Sequence, residues 1–72
     1  MNNIQFDLVY LDPPYKEGQY LEIIDLLEQY NLLSDNARLV LESNYLINVD
    51  EKKYKKVKQY KYGDIYVIIL WR

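Results

Sequence analysis

Phe6-Asp7-Leu8-Val9-Tyr10-Leu11-Asp12-Pro13-Pro14-Tyr15 is the stretch whose reading decides the fold. From Phe6 to Leu11 the residues are mostly apolar and of strand-favouring type, and Asp12-Pro13-Pro14 stops the run abruptly. A short, nearly continuous apolar run of this kind is expected for a strand buried on both faces, as in a parallel sheet. In open α/β sheets ligands gather outside the carboxyl ends of the strands, which is where the tetrapeptide Asp12-Pro13-Pro14-Tyr15 would stand.

Working outward, Leu21, Ile24 and Leu27 recur at helical spacing as core residues, with Ile23, Leu26 and Tyr30 widening the stripe. Tyr20 also falls in this pattern. Glu22, Asp25 and Glu28 lie between the apolar positions, so an amphipathic helix is expected from about Glu17 to Tyr30. Ser34-Asp35-Asn36 reads as a turn, and Ala37 to Ser43 as a second strand around Leu39-Val40-Leu41. Strand, helix and strand in this order favour a right-handed parallel βαβ unit. In the final third, the lysine-bearing run Tyr54 to Tyr62 and the apolar run Ile65 to Trp71 flank Gly63-Asp64, which predicts an antiparallel hairpin. The fold class is therefore α/β with a mixed sheet. One helix is too little to cover both faces of it.

With 72 residues, the chain has room for one small domain, which buries only about 60% of its unfolded surface. Cys and His are both absent, excluding a disulfide framework, a zinc finger, a Ser-His-Asp triad and a Cys-His pair. No apolar run approaches the roughly 20 residues that span a bilayer, and Met1-Asn2-Asn3 begins no signal peptide, so a cytoplasmic protein without membrane association is expected. The net charge of −2 conceals an uneven distribution. Residues 1–49 carry two basic and eight acidic side chains, whereas residues 50–62 carry six lysines against Asp50 and Glu51.

The chemistry of the tetrapeptide follows from its residue types. Consecutive prolines fix φ and donate no backbone hydrogen bond, so the segment is stiff and presents carbonyl oxygens. An acid, a proline carbonyl and an aromatic ring suit a flat substrate bearing an amino group. The lone pair of a base's exocyclic amine is delocalised into the ring and is a poor nucleophile. Fixed acceptors on its hydrogens favour the pyramidal form that attacks a methyl donor, an effect of electrostatic preorganisation and proximity. No metal is required, and a stacked base must be flipped out to reach such a site.

Phe6 to Tyr15 resembles the (D/N)PP(Y/F) motif strand of amino-methyltransferases. With the helix ending near Asn31-Leu32-Leu33, the Leu39-Val40-Leu41-Glu42 strand and the Lys61-Tyr62-Gly63-Asp64 hairpin, nearly the whole chain is similar to the bacterial 16S rRNA guanine-N2 methyltransferase family of the RsmD type. The resemblance implies the carboxyl-terminal half of a Rossmann-like class I methyltransferase domain over residues 1–72, supplying strands four to seven of its sheet. It implies that Asp12 and the Pro13 carbonyl hold the target amine, that Pro14 stiffens the loop and that Tyr15 stacks on the base. S-adenosylmethionine is the implied cofactor, and ribosomal RNA or the small subunit the implied partner.

The family's Gly-rich donor loop has no counterpart here, because the only glycines are Gly18 and Gly63. The resemblance thus implies a chain that is inactive in isolation, with an open first-strand edge for self-association or pairing with another polypeptide. Adenine-N6 methylation of DNA is the enzymatic alternative, and a non-catalytic module that binds a partner or RNA is the other. Lys52, Lys53, Lys55, Lys56, Lys58 and Lys61 are candidates for phosphate contact, although lysines also protect edge strands. Glu42, Ser43 and Asn44 follow the second strand and border the same region, where a capping or turn role is the simpler expectation.

Overall fold

The computed structural model describes residues 4–12 and 16–72. Four strands and one helix run in the order β1 (Phe6–Leu11), α1 (Glu17–Gln29), β2 (Leu33–Ser43), β3 (Lys56–Tyr62) and β4 (Ile65–Trp71), with a short 3-10 helix at Glu51–Lys53. The sheet order is β1-β2-β4-β3. β1 and β2 are parallel, and β4 is antiparallel to both of its neighbours. The parallel pair with its helix and the terminal hairpin are thus both as the residue patterns predict.

Helix α1 is closed at each end by local hydrogen bonds. At its start the Gln19 side chain accepts from the Lys16 backbone N–H at 2.7 Å, and Gln19 N–H donates to the Lys16 carbonyl at 2.9 Å. Lysine has no side-chain acceptor, so this is half of the reciprocal capping arrangement. At the other end Asn31 takes φ 54°. Asn31 N–H then donates to the Glu28 carbonyl and Leu32 N–H to the Leu27 carbonyl, the paired bonds of a Schellman stop. At the hairpin, Tyr62 pairs with Ile65 across two residues, and Gly63 has φ 60°. A left-handed glycine at the first central position is the II′ pattern that matches the twist of paired strands.

The second strand differs from the expectation. Ser34-Asp35-Asn36 forms no chain-reversing turn, because β2 starts at Leu33 and passes through these residues. Their turn chemistry is absorbed by an irregularity. Phe6 pairs with Leu33 and Leu8 with Arg38, so β2 carries extra residues between two successive partners on β1. The Arg72 guanidinium donates to the carbonyls of Leu33 and Ser34, and Lys55 Nζ donates to that of Asp35 at 3.3 Å, satisfying backbone groups that the ladder leaves out.

The register divides the sheet into two faces. On the inner face Leu11, Ala37, Leu39, Leu41, Ile68 and Leu70 are buried with Tyr20 and Ile24 of α1 and with Ile47, while Tyr45, Val49 and Tyr54 pack against them. On the outer face Leu8, Arg38, Trp71 and Lys56 form one row, and Tyr10, Val40, Ile69 and Lys58 the next. Phe6, Leu8 and Tyr10 are exposed. The chain is only 17 Å deep along its shortest axis, room for a sheet and one covering layer at the roughly 10 Å spacing of packed layers. Hence β1 is not buried on both faces. Leu21, Leu26 and Tyr30 also depart from the helical core pattern, at 37%, 51% and 66% exposure.

Candidate functional site

Asp12 directly follows Leu11, which lies opposite Leu41 at the carboxyl end of the parallel pair. Continuing that register by one residue brings Asp12 beside Glu42. Side chains alternate along a strand, so Tyr10, two residues before Asp12, shares the outer face with both. The Tyr10 hydroxyl donates to Glu42 Oε1 at 3.0 Å. Glu42 is held a second time through its backbone, whose carbonyl accepts from the buried Tyr20 hydroxyl at 2.5 Å. Ser43, also buried, turns inward and donates to the Tyr45 carbonyl at 2.5 Å. The end of β2 is therefore pinned from both faces of the sheet.

Electrostatics agree with this geometry. The Tyr10 phenol is pushed up from its usual 10.0 to about 12, first by its hydrogen bond to the Glu42 carboxylate, then by partial desolvation and the negative charge of Asp12. One hydroxyl thus lies between two carboxylates, which resist its ionisation. A folded-state value above the unfolded one means that the phenol's contribution to stability is intact below about pH 10 and is lost as pH rises through about 12. Alkaline absorbance titration of Tyr10→Phe should accordingly lack one late-ionising phenol. An unchanged high-pH limb would place the late phenol elsewhere.

Of the residues expected to hold the base, Asp12 is exposed and stands at the predicted strand end. Pro13, Pro14 and Tyr15 lie outside the described residues. Tyr10 carries no signal in a motif reading, yet its position two residues before the acid on a strand is enough to find it. The six lysines do not form one patch. Lys56 and Lys58 project on the outer face, with Lys56 Nζ 5.2 Å from the Trp71 ring centre, whereas Lys61 lies 5.3 Å from that of Tyr66 on the alternate side. Lys52 and Lys53 belong to the 3-10 helix, and Lys55 is engaged by Asp35.

A cavity of about 270 Å³ opens elsewhere, between α1 and residues 48–54, where Leu21, Asp25, Asp50, Lys53 and Tyr54 line it. The Tyr54 phenol there is raised by burial and by the nearby acids. This cavity lies on the helix side, away from Asp12. A Cβ added to Gly18 or Gly63 would meet no atom of the chain within 4 Å, so neither glycine is required by close packing against the rest of the fold.

Residues 1–71 match the family described as Conserved hypothetical protein 95. The chain is also 30% identical over 71 residues to an uncharacterized methylase of Rickettsia prowazekii (strain Madrid E). That match covers 97% of this chain and 30% of the relative, so the chain spans about a third of the length of the methylase it resembles.

Proposed function

Because the chain belongs to the Conserved hypothetical protein 95 family of RsmD-like methylases, we propose that it is the base-holding part of an S-adenosylmethionine-dependent methyltransferase acting on guanine-N2 of 16S ribosomal RNA. The observation that carries this reading is the exposed Asp12 at the carboxyl end of β1, beside a second carboxylate whose position is held by Tyr10 and Tyr20. In this role Asp12 accepts a hydrogen bond from the exocyclic amine, Pro13 adds its carbonyl and Tyr15 stacks on the ring. S-adenosylmethionine supplies the methyl group. In this reading the chain's part is to supply acceptors for the amine.

The mixed four-strand sheet, with its parallel pair at one edge, supports the same reading. It also favours a partner at that edge. Among the described residues β1 pairs with β2 alone, and its Phe6, Leu8 and Tyr10 are exposed on the outer face. An unpaired strand flanked by apolar side chains is suited to receive another strand. In the second reading, a non-catalytic module, this edge is the functional surface.

The test is to join the chain to a donor-binding half from its family, supply methyl-labelled S-adenosylmethionine and either small-subunit RNA or DNA, then digest and identify the labelled base. Label in N2-methylguanine from RNA is expected. Label in N6-methyladenine from DNA would transfer the reading to the DNA enzyme, and no labelled base from either would favour the non-catalytic module.

A further inference from the structure

Guanine differs from the other amino-bearing bases in the ring atom next to its amine. Its N1 carries a hydrogen, so the edge presents adjacent donors at N1 and N2. In adenine and cytosine the corresponding ring nitrogen is unprotonated and acts as an acceptor. An ionised carboxylate only accepts hydrogen bonds, so a second carboxylate beside the amine-holding acid pairs with guanine and repels the lone pair of the other two. Discrimination of this kind combines attraction for the right partner with an unfavourable contact for the wrong one.

Glu42 stands where such a group would be needed. It is the penultimate residue of β2, adjacent to β1, gives one oxygen to Tyr10 at 3.0 Å, and like Asp12 bears on the Tyr10 hydroxyl. A carboxylate offers about four acceptor sites over its two oxygens, so this bond leaves capacity for a ligand. Acceptors of the N1–H and of an amine hydrogen stand roughly 2–6 Å apart, given hydrogen-bond lengths near 2.9 Å. Two carboxylates flanking one hydroxyl can span that distance.

Resting on the reading of Asp12 as the amine acceptor, we propose that Glu42, held by Tyr10, is the specificity-determining residue of the site and accepts the ring N1–H of guanine. Tyr10 is a positioning residue in this arrangement. Its phenol ties the carboxylate to the strand end and limits the side-chain freedom that binding would otherwise have to remove.

The experiment titrates the isotopically labelled chain with GMP, IMP and AMP, following the amide signals of Tyr10, Asp12 and Glu42 by NMR. GMP has both the N1–H and the amine, IMP has the N1–H alone, and AMP presents an acceptor at N1. GMP should bind about tenfold more tightly than AMP, the scale of a good base-edge contact. Glu42→Gln removes the charge and provides a donor suited to adenine, so the GMP-to-AMP ratio should fall to within about twofold of unity, while GMP remains tighter than IMP.

Tyr10→Phe keeps the carboxylate but releases it, and should lower the GMP-to-AMP ratio part of the way. Equal affinity for GMP and AMP, an unchanged ratio in Glu42→Gln, or no response to any nucleotide would overturn the proposal. A separate result tests the reading beneath it. If Asp12→Asn leaves the GMP-to-IMP ratio unaltered, Asp12 does not hold the amine, whatever Glu42 does.

Discussion

On the proposed reading, and with the chain joined to a donor-binding half, methyl transfer by the Asp12→Ala variant should fall by a factor on the order of 10² to 10³, the usual loss when one preorganised polar group is removed from a reacting centre. Folding stability should change by no more than about 0.5 kcal/mol, because Asp12 is exposed, follows the last residue of β1 and supports no buried contact. Both halves of this expectation are needed. A fall in activity accompanied by unfolding would speak only to structure. A fall in an intact fold assigns Asp12 to the chemistry, and the split between kcat and KM then locates its action. An acceptor that favours the reactive form of the amine should act mainly on kcat, whereas one that merely anchors the base should act mainly on KM. Retained activity would remove Asp12 from the mechanism.

The order of the elements and the position of Asp12 were legible because each rests on short-range rules. A strand stopped by two prolines, a helix with apolar residues three and four apart, and a Gly-Asp pair between two strand-like runs each restrict the backbone locally. Ser34-Asp35-Asn36 shows where local rules stop. Those residues favour turns in isolation, but pairing with β1 and bonds from Arg72 and Lys55 draw them into β2, and tertiary context outweighs propensity. The pairing of Tyr10 with Glu42 is hidden for a related reason. Their link spans 32 residues of sequence, and only the register of β1 against β2 brings them together. Burial is hidden in the same way, since an apolar run such as Phe6 to Leu11 states what a strand can bury but not what is present to cover it.

Two truncations, Leu41→Ala and Leu8→Ala, turn that last point into a measurement. Leu41 is fully buried on the inner face, between Leu11 on one neighbouring strand and Ile68 on the other. Emptying such a site costs about 2–5 kcal/mol, and a core in a chain of this size rarely supplies more than roughly 3–5 kcal/mol. Leu41→Ala should therefore be largely unfolded in urea concentrations that leave the parent chain native. Leu8 is chemically the same residue on the parallel neighbour, but it points the other way and is 58% exposed. Its replacement by alanine should shift stability by only about 0.5 kcal/mol. Urea midpoints for the two variants thus compare the faces directly, with residue type held constant. A loss at Leu8 approaching that at Leu41 would mean that the outer face is covered in solution. Its dependence on protein concentration would then distinguish a second copy of the chain from a segment within the same polypeptide, because only association between chains weakens on dilution.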